Sequence, residues 1–399
     1  MAQERAQYVT RLVGLVAAVA AIVAAVAASG RMTHGFSSYY TAAHALIRGE
    51  FGPWVYSDVS FGAYLPTVVG SDVREIYAPN TPAAALLALP LVWLSPLVAR
   101  SIWLALTIVS LLAAVSWLTI DAAERRAPLL PLWIAAALVS PAVLANLRTA
   151  QAYVVLFAAV VGALWMLARE RDAAAGLILG AVFAIKPTIG PLLLMLLWIG
   201  RYRTVMWSAA AAIGIVLLTI PVAGVEAWVA WPGVARAFIA RPSTSVTAHQ
   251  TTTGLLRHVC VADEVNPAPI GDCGTATALL PLLTVAAAFA VTLWKVPRTA
   301  PRLAIAAGTC LSLLAAPIAE DHQFVLLAIP IFVLASDAPE LRVWLVLAVL
   351  LLWVPSAWTW ERFTAGWWAL LAYPRLYATW GLSALTIAAA GPFRMSQSR

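Results

Sequence analysis

The sequence predicts an all-α polytopic membrane protein, a bundle of about 12 transmembrane helices forming a single domain over residues 1–399. Three features lead to this fold class: composition, long apolar runs and the placement of basic residues. Hydrophobic residues make up 62% of the chain and charged residues 11%, against about 25% charged in soluble domains. A soluble fold of this length cannot hide so much apolar surface, whereas a bilayer solvates it.

The apolar runs are the candidate spans, because crossing a bilayer takes roughly 20 helical residues. They cover residues 12–29, 101–120, 129–143, 153–167, 173–185, 189–199, 205–222, 278–293, 303–316, 324–334, 341–354 and 365–390. The first is expected to be retained, since it lacks a clear cleavage site. A further stretch, 81–94, carries Pro82 and Pro90. Either it is a re-entrant or half-depth segment, or another of the short stretches is not a true span. Twelve spans place both termini in the cytoplasm.

Basic residues account for the net charge of +7 and lie in short clusters between the apolar runs. Such clusters mark the cytoplasmic side of a membrane protein. We therefore interpret them as topology determinants, and no nucleic-acid partner is expected. The clusters include Arg125, Arg126, Arg169, Arg171, Arg201, Arg203, Lys295, Arg298 and Arg302.

Two long polar stretches, 30–80 and 223–277, are called here the first and second loops. The predicted topology places both outside the cytoplasm. Their Tyr and Trp residues suit a membrane interface, where a ring can lie among headgroups. We expect the first loop to hold short interfacial helices and to carry catalytic residues, because function often concentrates in long loops.

The three cysteines have different surroundings. Cys260 and Cys273 lie in the second loop among turn residues, and we expect a disulfide between them. A metal pair is the alternative, but no nearby Cys or His completes a ligand set. Cys310 lies in an apolar run and is expected to be inert packing.

Ionisable residues at breaks between the apolar runs are the best functional candidates, because burying charge in lipid is costly. The breaks hold Asn146, Arg148 and Gln151; Lys186; Glu320, Asp321 and His322; and Glu361 and Arg362. A carboxylate beside an imidazole can deprotonate a hydroxyl. The cations Arg148, Lys186 and Arg236 can hold phosphate oxygens. This combination indicates group transfer from a lipid-phosphate donor; the residues alone leave the first-loop acid open among Glu50, Asp58, Asp72 and Glu75.

Several segments, taken in order along the chain, resemble glycosyltransferase family 87. They are the run Tyr39-Tyr40-Thr41-Ala42-Ala43-His44-Ala45, the run Tyr77-Ala78-Pro79-Asn80-Thr81-Pro82, the step Ala150-Gln151-Ala152-Tyr153, the Gly-rich stretch 176–187 ending in Lys186-Pro187, the run from His249 to Arg257, and Ala316-Pro317-Ile318-Ala319-Glu320-Asp321-His322. Each motif is weak alone, and their order carries the resemblance. It implies a GT-C-type helical bundle with its active site outside the cytoplasmic membrane.

The resemblance also implies the reaction. Members of the family take a sugar from a polyprenyl-phosphate donor, and the resemblance extends to mycobacterial enzymes that elongate phosphatidylinositol mannosides. The expected activity is an inverting α-1,2-mannosyl transfer that converts a tetramannoside lipid to the pentamannoside. No metal and no cofactor other than the lipid-linked donor are implied. A glycolipid acceptor is the second expected partner, and no oligomer is implied.

Catalytic roles fall on Asp58 and His322, which we expect to form a dyad that deprotonates the acceptor hydroxyl. Asp58 matches the first-loop acid of GT-C enzymes, although many relatives have an Asp just before the Tyr-Tyr step, where this chain has His34-Gly35-Phe36-Ser37-Ser38. The expected substrate-binding residues are Lys186, Arg148, Gln151, His249, Arg257, Arg236, Asp321 and Glu320.

Three alternatives remain open. The first is a lipid or sugar transporter, disfavoured because no internal repeat is visible and the polar breaks lie near span ends. The second is a non-catalytic scaffold for envelope assembly, which would not need an acid–imidazole pair beside a cavity. The third is another glycosyltransferase, namely a lipomannan-branching mannosyltransferase or an arabinofuranosyltransferase, since nothing in the residues separates mannose from arabinose.

Overall fold

The computed structural model describes residues 30–70, 73–123, 138–239, 248–262, 268–355 and 366–391, which form helices and connecting turns without a strand. The predicted span 12–29, most of the span 129–143, and Asp72, Glu361 and Arg362 lie outside the described residues.

Fifteen α-helices occupy the described residues. In chain order they are α1 Phe36–Ile47, α2 Asp58–Val69, α3 Pro96–Ala123, α4 Pro141–Thr149, α5 Tyr153–Leu167, α6 Asp172–Ile185, α7 Gly190–Trp198, α8 Tyr202–Ala223, α9 Val225–Ile239, α10 Thr252–Cys260, α11 Ala276–Lys295, α12 Pro301–Leu314, α13 Ala328–Asp337, α14 Arg342–Leu352 and α15 Pro374–Ala389. Short 3₁₀-helices connect several of them, at Pro53–Tyr56, Pro82–Leu87, Leu89–Leu91, Pro187–Ile189, Asp321–Leu327, Pro339–Leu341 and Gly366–Ala372.

Three of these helices contain stretches long and apolar enough to cross a membrane: Pro96–Leu118, Tyr202–Ala223 and Ala276–Lys295. A fourth span results if Asp321–Asp337 and Pro339–Leu352, which meet at 113°, are counted together. Only 11% of the apolar stretch of α8 is buried, so most of its side chains suit lipid rather than water. The protein is therefore a membrane protein. The count of twelve spans stays a prediction, because several apolar runs form helices of only 10–17 residues.

Close helix packing is clearest between α6 and α8, the pair with the most extensive contact. Gly176 and Gly180 lie one turn apart on α6, and a Cβ at Gly180 would come within 2.2 Å of the Ser208 carbonyl oxygen of α8. Paired small residues let two membrane helices approach until their backbones touch. The Gly-rich stretch thus fixes α6, and with it the position of Lys186 at its end.

The break between α6 and α7 follows from proline. Pro187 lacks an N–H and disfavours helical geometry in the residue before it. Lys186 accordingly leaves the helix with an extended backbone (φ −139°, ψ 96°), and the 3₁₀-helix Pro187–Ile189 leads into α7. The polar interruption of this apolar run is therefore a built-in turn.

Both loops contain helices and contact each other. The first loop folds into α1, Pro53–Tyr56 and α2, and the second contains α9 and α10. Helix α9 packs against Pro53–Tyr56. A disulfide joins Cys260 to Cys273, while Cys310 is a buried free thiol. That the first-loop helices lie along the membrane surface stays a prediction.

One glycine is required where the first loop meets α4. Gly35 has φ +84°, and a Cβ there would lie 2.7 Å from the Thr149 carbonyl oxygen and 2.8 Å from the Gln151 side chain. Glycine is the residue that combines this backbone geometry with so close an approach. The start of α1 is thereby held against the segment that carries Gln151.

Candidate functional site

The centre of the candidate site is a carboxylate between two imidazoles. Glu320 Oε2 lies 3.6 Å from His322 Nδ1, and Glu320 Oε1 lies 3.7 Å from His249 Nε2. Both histidine side chains are buried, whereas 49% of the Glu320 side-chain surface stays exposed although protein surrounds it. The Glu320 side chain is therefore more accessible than the two rings it faces. Three of the predicted site residues, from two distant parts of the sequence, meet here.

His322 is positioned by its packing against α4 and α5. It lies in the 3₁₀-helix Asp321–Leu327, which contacts both helices. The Asn146 side-chain amide donates to the His322 carbonyl oxygen at 2.7 Å, and its oxygen accepts from the Val154 N–H at 3.3 Å. The ring of Tyr153 lies 5.0 Å from the imidazole, centroid to centroid. These contacts fix the backbone and one face of the imidazole.

His249 comes from the second loop, and hydrogen bonds of its neighbours place it beside Glu320. The Gln250 N–H donates to the Ala319 carbonyl oxygen at 2.9 Å, and the Thr251 hydroxyl donates to the Pro317 carbonyl oxygen at 3.2 Å. The Gln250 side chain also donates to the Ala372 carbonyl oxygen at 2.7 Å. The segment 248–251 is thus attached to the turn that carries Glu320.

Asp321 has a structural partner. Its Oδ1 lies 3.0 Å from Nε of Arg375, and the Arg375 side chain is 1% exposed. A buried arginine needs a compensating charge, and Asp321 supplies one. The sequence predicted Asp321 to bind substrate; the structure gives it this ion pair at the start of α15.

Lys186 is buried beside the same cluster. Its Nζ donates to Asn80 Oδ1 at 2.5 Å and lies 5.4 Å from the centre of the Tyr153 ring and 5.9 Å from that of Tyr39. Aromatic faces stabilise a desolvated ammonium group. The predicted phosphate-binding cation, Lys186, and the predicted base, His322, therefore share Tyr153 as a neighbour.

Gln151 joins this group through Tyr39, whose hydroxyl donates to Gln151 Oε1 at 3.0 Å. Ala150, just before it, ends α4 in the left-handed conformation with φ 52° and lets the chain turn. The Arg148 side chain is exposed, and its carbonyl oxygen accepts from the buried Arg100 at 3.3 Å. Gln151 is therefore held near Lys186, while Arg148 lies at the periphery.

Two carboxylates near Lys186 have opposite pKa shifts. Burial by itself would raise the pKa of Glu320, but the close approach of His249 and the charges of His322, His249 and Lys186 outweigh it and lower the pKa to about 2. Burial raises the pKa of Glu75, although the backbone N–H groups of Gly35 and Ile76 donate to it. Glu320 thus stays ionised at neutral pH, and Glu75 holds a proton more readily than an ordinary carboxyl.

The other predicted residues lie in different surroundings. Asp58 is exposed in the first turn of α2, Arg236 is exposed on α9, and Arg257 is half-buried on α10. The carboxylate that pairs with His322 in this structure is Glu320. The dyad of Asp58 with His322 stays a prediction.

Four buried or half-buried polar residues of the cluster were not among the predicted site residues: Tyr39, Glu75, Asn80 and Asn146. The sequence offered Asn146 only as part of a polar break and Glu75 only as one of four acids left open. Asn80 lies 106 positions from the lysine it contacts, and Asn146 lies 176 positions from His322. A polar side chain inside an apolar stretch was the available signal for Asn146. Only the tertiary structure shows that Asn80 contacts Lys186 and that Asn146 contacts His322.

A separate cavity of about 520 Å³ contains none of the predicted site residues. Its walls are mainly apolar side chains of α5, α12 and α13, together with Arg169, Arg201 and Arg302. These arginines belong to the clusters predicted to be cytoplasmic. Within the described part of the chain, no group of three or more His, Cys, Asp and Glu residues is arranged to hold a metal ion.

The fold and the cluster together define an integral membrane protein with buried ionisable groups at the ends of its apolar helices. The family model of glycosyltransferase family 87 matches residues 78–317, more than half of the chain. The chain belongs to this family and is a membrane glycosyltransferase. No curated protein and no solved structure gives a significant match. The matched range includes Lys186 and His249, whereas Asp58, Glu320 and His322 lie outside it.

Proposed function

We propose that this membrane glycosyltransferase is an inverting α-1,2-mannosyltransferase, which moves mannose from polyprenyl-phosphate mannose to a phosphatidylinositol mannoside. In this proposal the acceptor is the tetramannoside and the product is the pentamannoside. The reaction takes place on the outer face of the cytoplasmic membrane. The motif resemblance behind this assignment is to the mycobacterial mannosyltransferase PimE.

The observation that carries the proposal is the proximity of a buried cation to an acid–imidazole pair. Lys186 and His322 both lie close to the ring of Tyr153, and Glu320 pairs with His322. A phosphate-linked donor needs a cation for its phosphate, and a sugar acceptor needs a base for its hydroxyl. The cluster offers both functions within a protein already established as a glycosyltransferase.

The proposed chemistry is a single displacement. The acceptor 2-hydroxyl attacks the anomeric carbon of the donor and loses its proton to the dyad of Asp58 and His322. The bond from the anomeric carbon to the phosphate oxygen breaks, and its electron pair leaves with the polyprenyl phosphate. Lys186 stabilises the charge that develops on the phosphate. Attack opposite the leaving group inverts the β-linked donor to an α-linked product.

Purified protein in lipid nanodiscs tests the proposal. It is incubated with polyprenyl-phosphate mannose or polyprenyl-phosphate arabinose and, separately, with each of a panel of phosphatidylinositol mannosides. Mass spectrometry should show one added hexose only with the mannose donor, with the tetramannoside as the best acceptor, and linkage analysis should show an α-1,2 bond. Transfer of a pentose, or no transfer from either donor, would contradict the proposed function.

A further inference from the structure

The carboxylate of Glu320 contacts two imidazoles at once, and each oxygen faces one ring. Oε2 lies 3.6 Å from Nδ1 of His322, and Oε1 lies 3.7 Å from Nε2 of His249. The two contacts use different nitrogens of the two rings. The arrangement therefore defines which nitrogen of each histidine faces a negative charge.

A negative charge beside a ring nitrogen favours the N–H form of that nitrogen over its lone pair. The 3.6 Å separation between Nδ1 and Glu320 Oε2 therefore favours the His322 tautomer with Nδ1–H, which leaves Nε2 with the lone pair. Glu320 is ionised near neutral pH, since its neighbours lower its pKa to about 2. An ionised carboxylate in this position also stabilises the imidazolium formed when Nε2 takes a proton.

His249 faces the second oxygen of the same carboxylate. Its side chain is buried, and its Nδ1 has no hydrogen-bond partner among the described residues. Buried polar groups generally have a partner, and for this ring the polar contact among the described residues is that of Nε2 with Glu320. Gln250 and Thr251 attach the same segment to the carbonyl oxygens of Ala319 and Pro317. His249 and the turn before Glu320 therefore form one unit.

From this geometry we infer that Glu320 and His249 are positioning residues: Glu320 orients His322 so that Nε2 is the proton-accepting nitrogen, and His249 holds Glu320 in that position. The inference rests on the proposed function for the role of His322 as base. It changes the sequence-based expectation that both residues bind substrate. The nitrogen left to accept the proton of the acceptor hydroxyl is Nε2, because Glu320 faces Nδ1.

Steady-state kinetics of Glu320→Gln distinguishes positioning from binding. The variant should lower kcat by on the order of 10²–10⁴-fold, with the KM values of donor and acceptor within about twofold of wild type. Glu320→Asp, which keeps the charge, should recover part of the loss, and His249→Gln should show a smaller loss of kcat. Glu340→Gln, which changes an exposed carboxylate outside the cluster, is the matched control and should leave both parameters unchanged.

The pH–rate profile gives a readout that a merely structural role would not move. A neighbouring negative charge favours the protonated imidazole, so its removal should shift the acid limb of kcat to lower pH. A raised KM with unchanged kcat would make Glu320 a substrate-binding residue and overturn the inference. Unchanged kinetics in Glu320→Gln would overturn it as well.

Histidine NMR tests the inference without any catalytic assay. The chain has five histidines, so ¹⁵N-histidine labelling gives few signals. The signals that are missing from the spectrum of His322→Gln belong to His322. The ¹⁵N shifts of neutral His322 should show Nδ1–H and unprotonated Nε2, and Glu320→Gln should remove that preference. The opposite tautomer in wild type would refute the inference, even if sugar transfer proceeds as proposed. Loss of transfer with the expected tautomer would instead count against the proposed function alone.

Discussion

Asp58 and Glu320 are both acids that sequence reasoning assigned to one site, yet their surroundings differ. Asp58 is exposed and opens α2 after Ser57, whose hydroxyl caps the helix by accepting from the Ser60 N–H at 3.3 Å. A carboxylate in a first helical turn has a local reason to be there, because it interacts favourably with the helix dipole. Glu320 precedes the 3₁₀-helix Asp321–Leu327 but makes no side-chain cap hydrogen bond there, and its carboxylate lies between two imidazoles.

The comparison shows that position in a loop does not establish a catalytic role. For Glu320 the role follows from contacts with residues distant in sequence. For Asp58 it follows from resemblance to a family, and the helix dipole is a sufficient physical reason for an acid at that place. Experiments on the two acids therefore test different kinds of inference.

The largest expected effect comes from the proposed dyad. Asp58→Asn and His322→Ala should each lower kcat by on the order of 10²–10⁴-fold, because an unassisted sugar hydroxyl is a poor nucleophile. Transfer is measured by mass spectrometry on protein whose folding is checked by size exclusion. His44→Ala serves as the histidine control. If Asp58→Asn keeps normal kcat and loses only some stability, Asp58 belongs to the helix start and not to the dyad.

Much of the fold follows from the apolar runs. The run 153–167 coincides with α5, and 205–222 lies within α8. The run 324–334 was predicted as one helical span, but its first residues, up to Leu327, form a 3₁₀-helix and not an α-helix. Over one or two turns, periods of 3.0 and 3.6 residues cannot be separated in a sequence. Residues 81–94 form short 3₁₀-helices and not an α-helix.

The site was only partly predictable for a related reason. Charge in an apolar setting identified Lys186, Glu320 and His322, because such burial is costly. The contact of Glu320 with His249 depends on how the second loop folds back onto the turn at Ala319. No local pattern encodes that contact, and the same holds for the hydrogen bond between Lys186 and Asn80.

The disulfide lies in the second loop, which carries His249, the partner of Glu320. Its removal should therefore affect this loop and not the first loop, which carries Asp58. Cys260 ends the helix that follows His249, and its bridge to Cys273 closes a loop of sequence separation 13. Replacing both cysteines by serine should lower the free energy of unfolding by about 3 kcal/mol. Denaturant unfolding of wild type with and without reductant measures the effect. Cys310→Ala, which removes the buried free thiol, is the control, and stability unchanged by reductant would argue against the bridge.

Lys186 gives a smaller and more specific test. Lys186→Ala should raise the donor KM by about 10-fold, in line with loss of one hydrogen bond to a charged group. The acceptor KM should change less, because the proposal assigns Lys186 to the donor phosphate. Lys295, the chain's other lysine, stacks on Trp294 at 3.7 Å and provides the matched Lys295→Ala control. Equal KM values for wild type and Lys186→Ala would leave Lys186 a structural role with Asn80 and the tyrosines.

The smallest effect is the pH dependence of stability, and here Glu320 is best compared with Glu75. The pKa of Glu320 is lowered from 4.5 to about 2, so its ionised form stabilises the fold above pH 4.5, and this contribution is lost as pH falls towards 2. The pKa of Glu75 is raised by burial, so ionisation of Glu75 costs stability as pH rises above 4.5. The Tm advantage of wild type over Glu320→Gln should therefore shrink on acidification, whereas that over Glu75→Gln should grow. Thermal scans from pH 3 to 7 follow both differences, with Glu340→Gln as the exposed control. Parallel trends in the two variants would mean that the two carboxylates share one environment, contrary to the opposite shifts that their contacts produce.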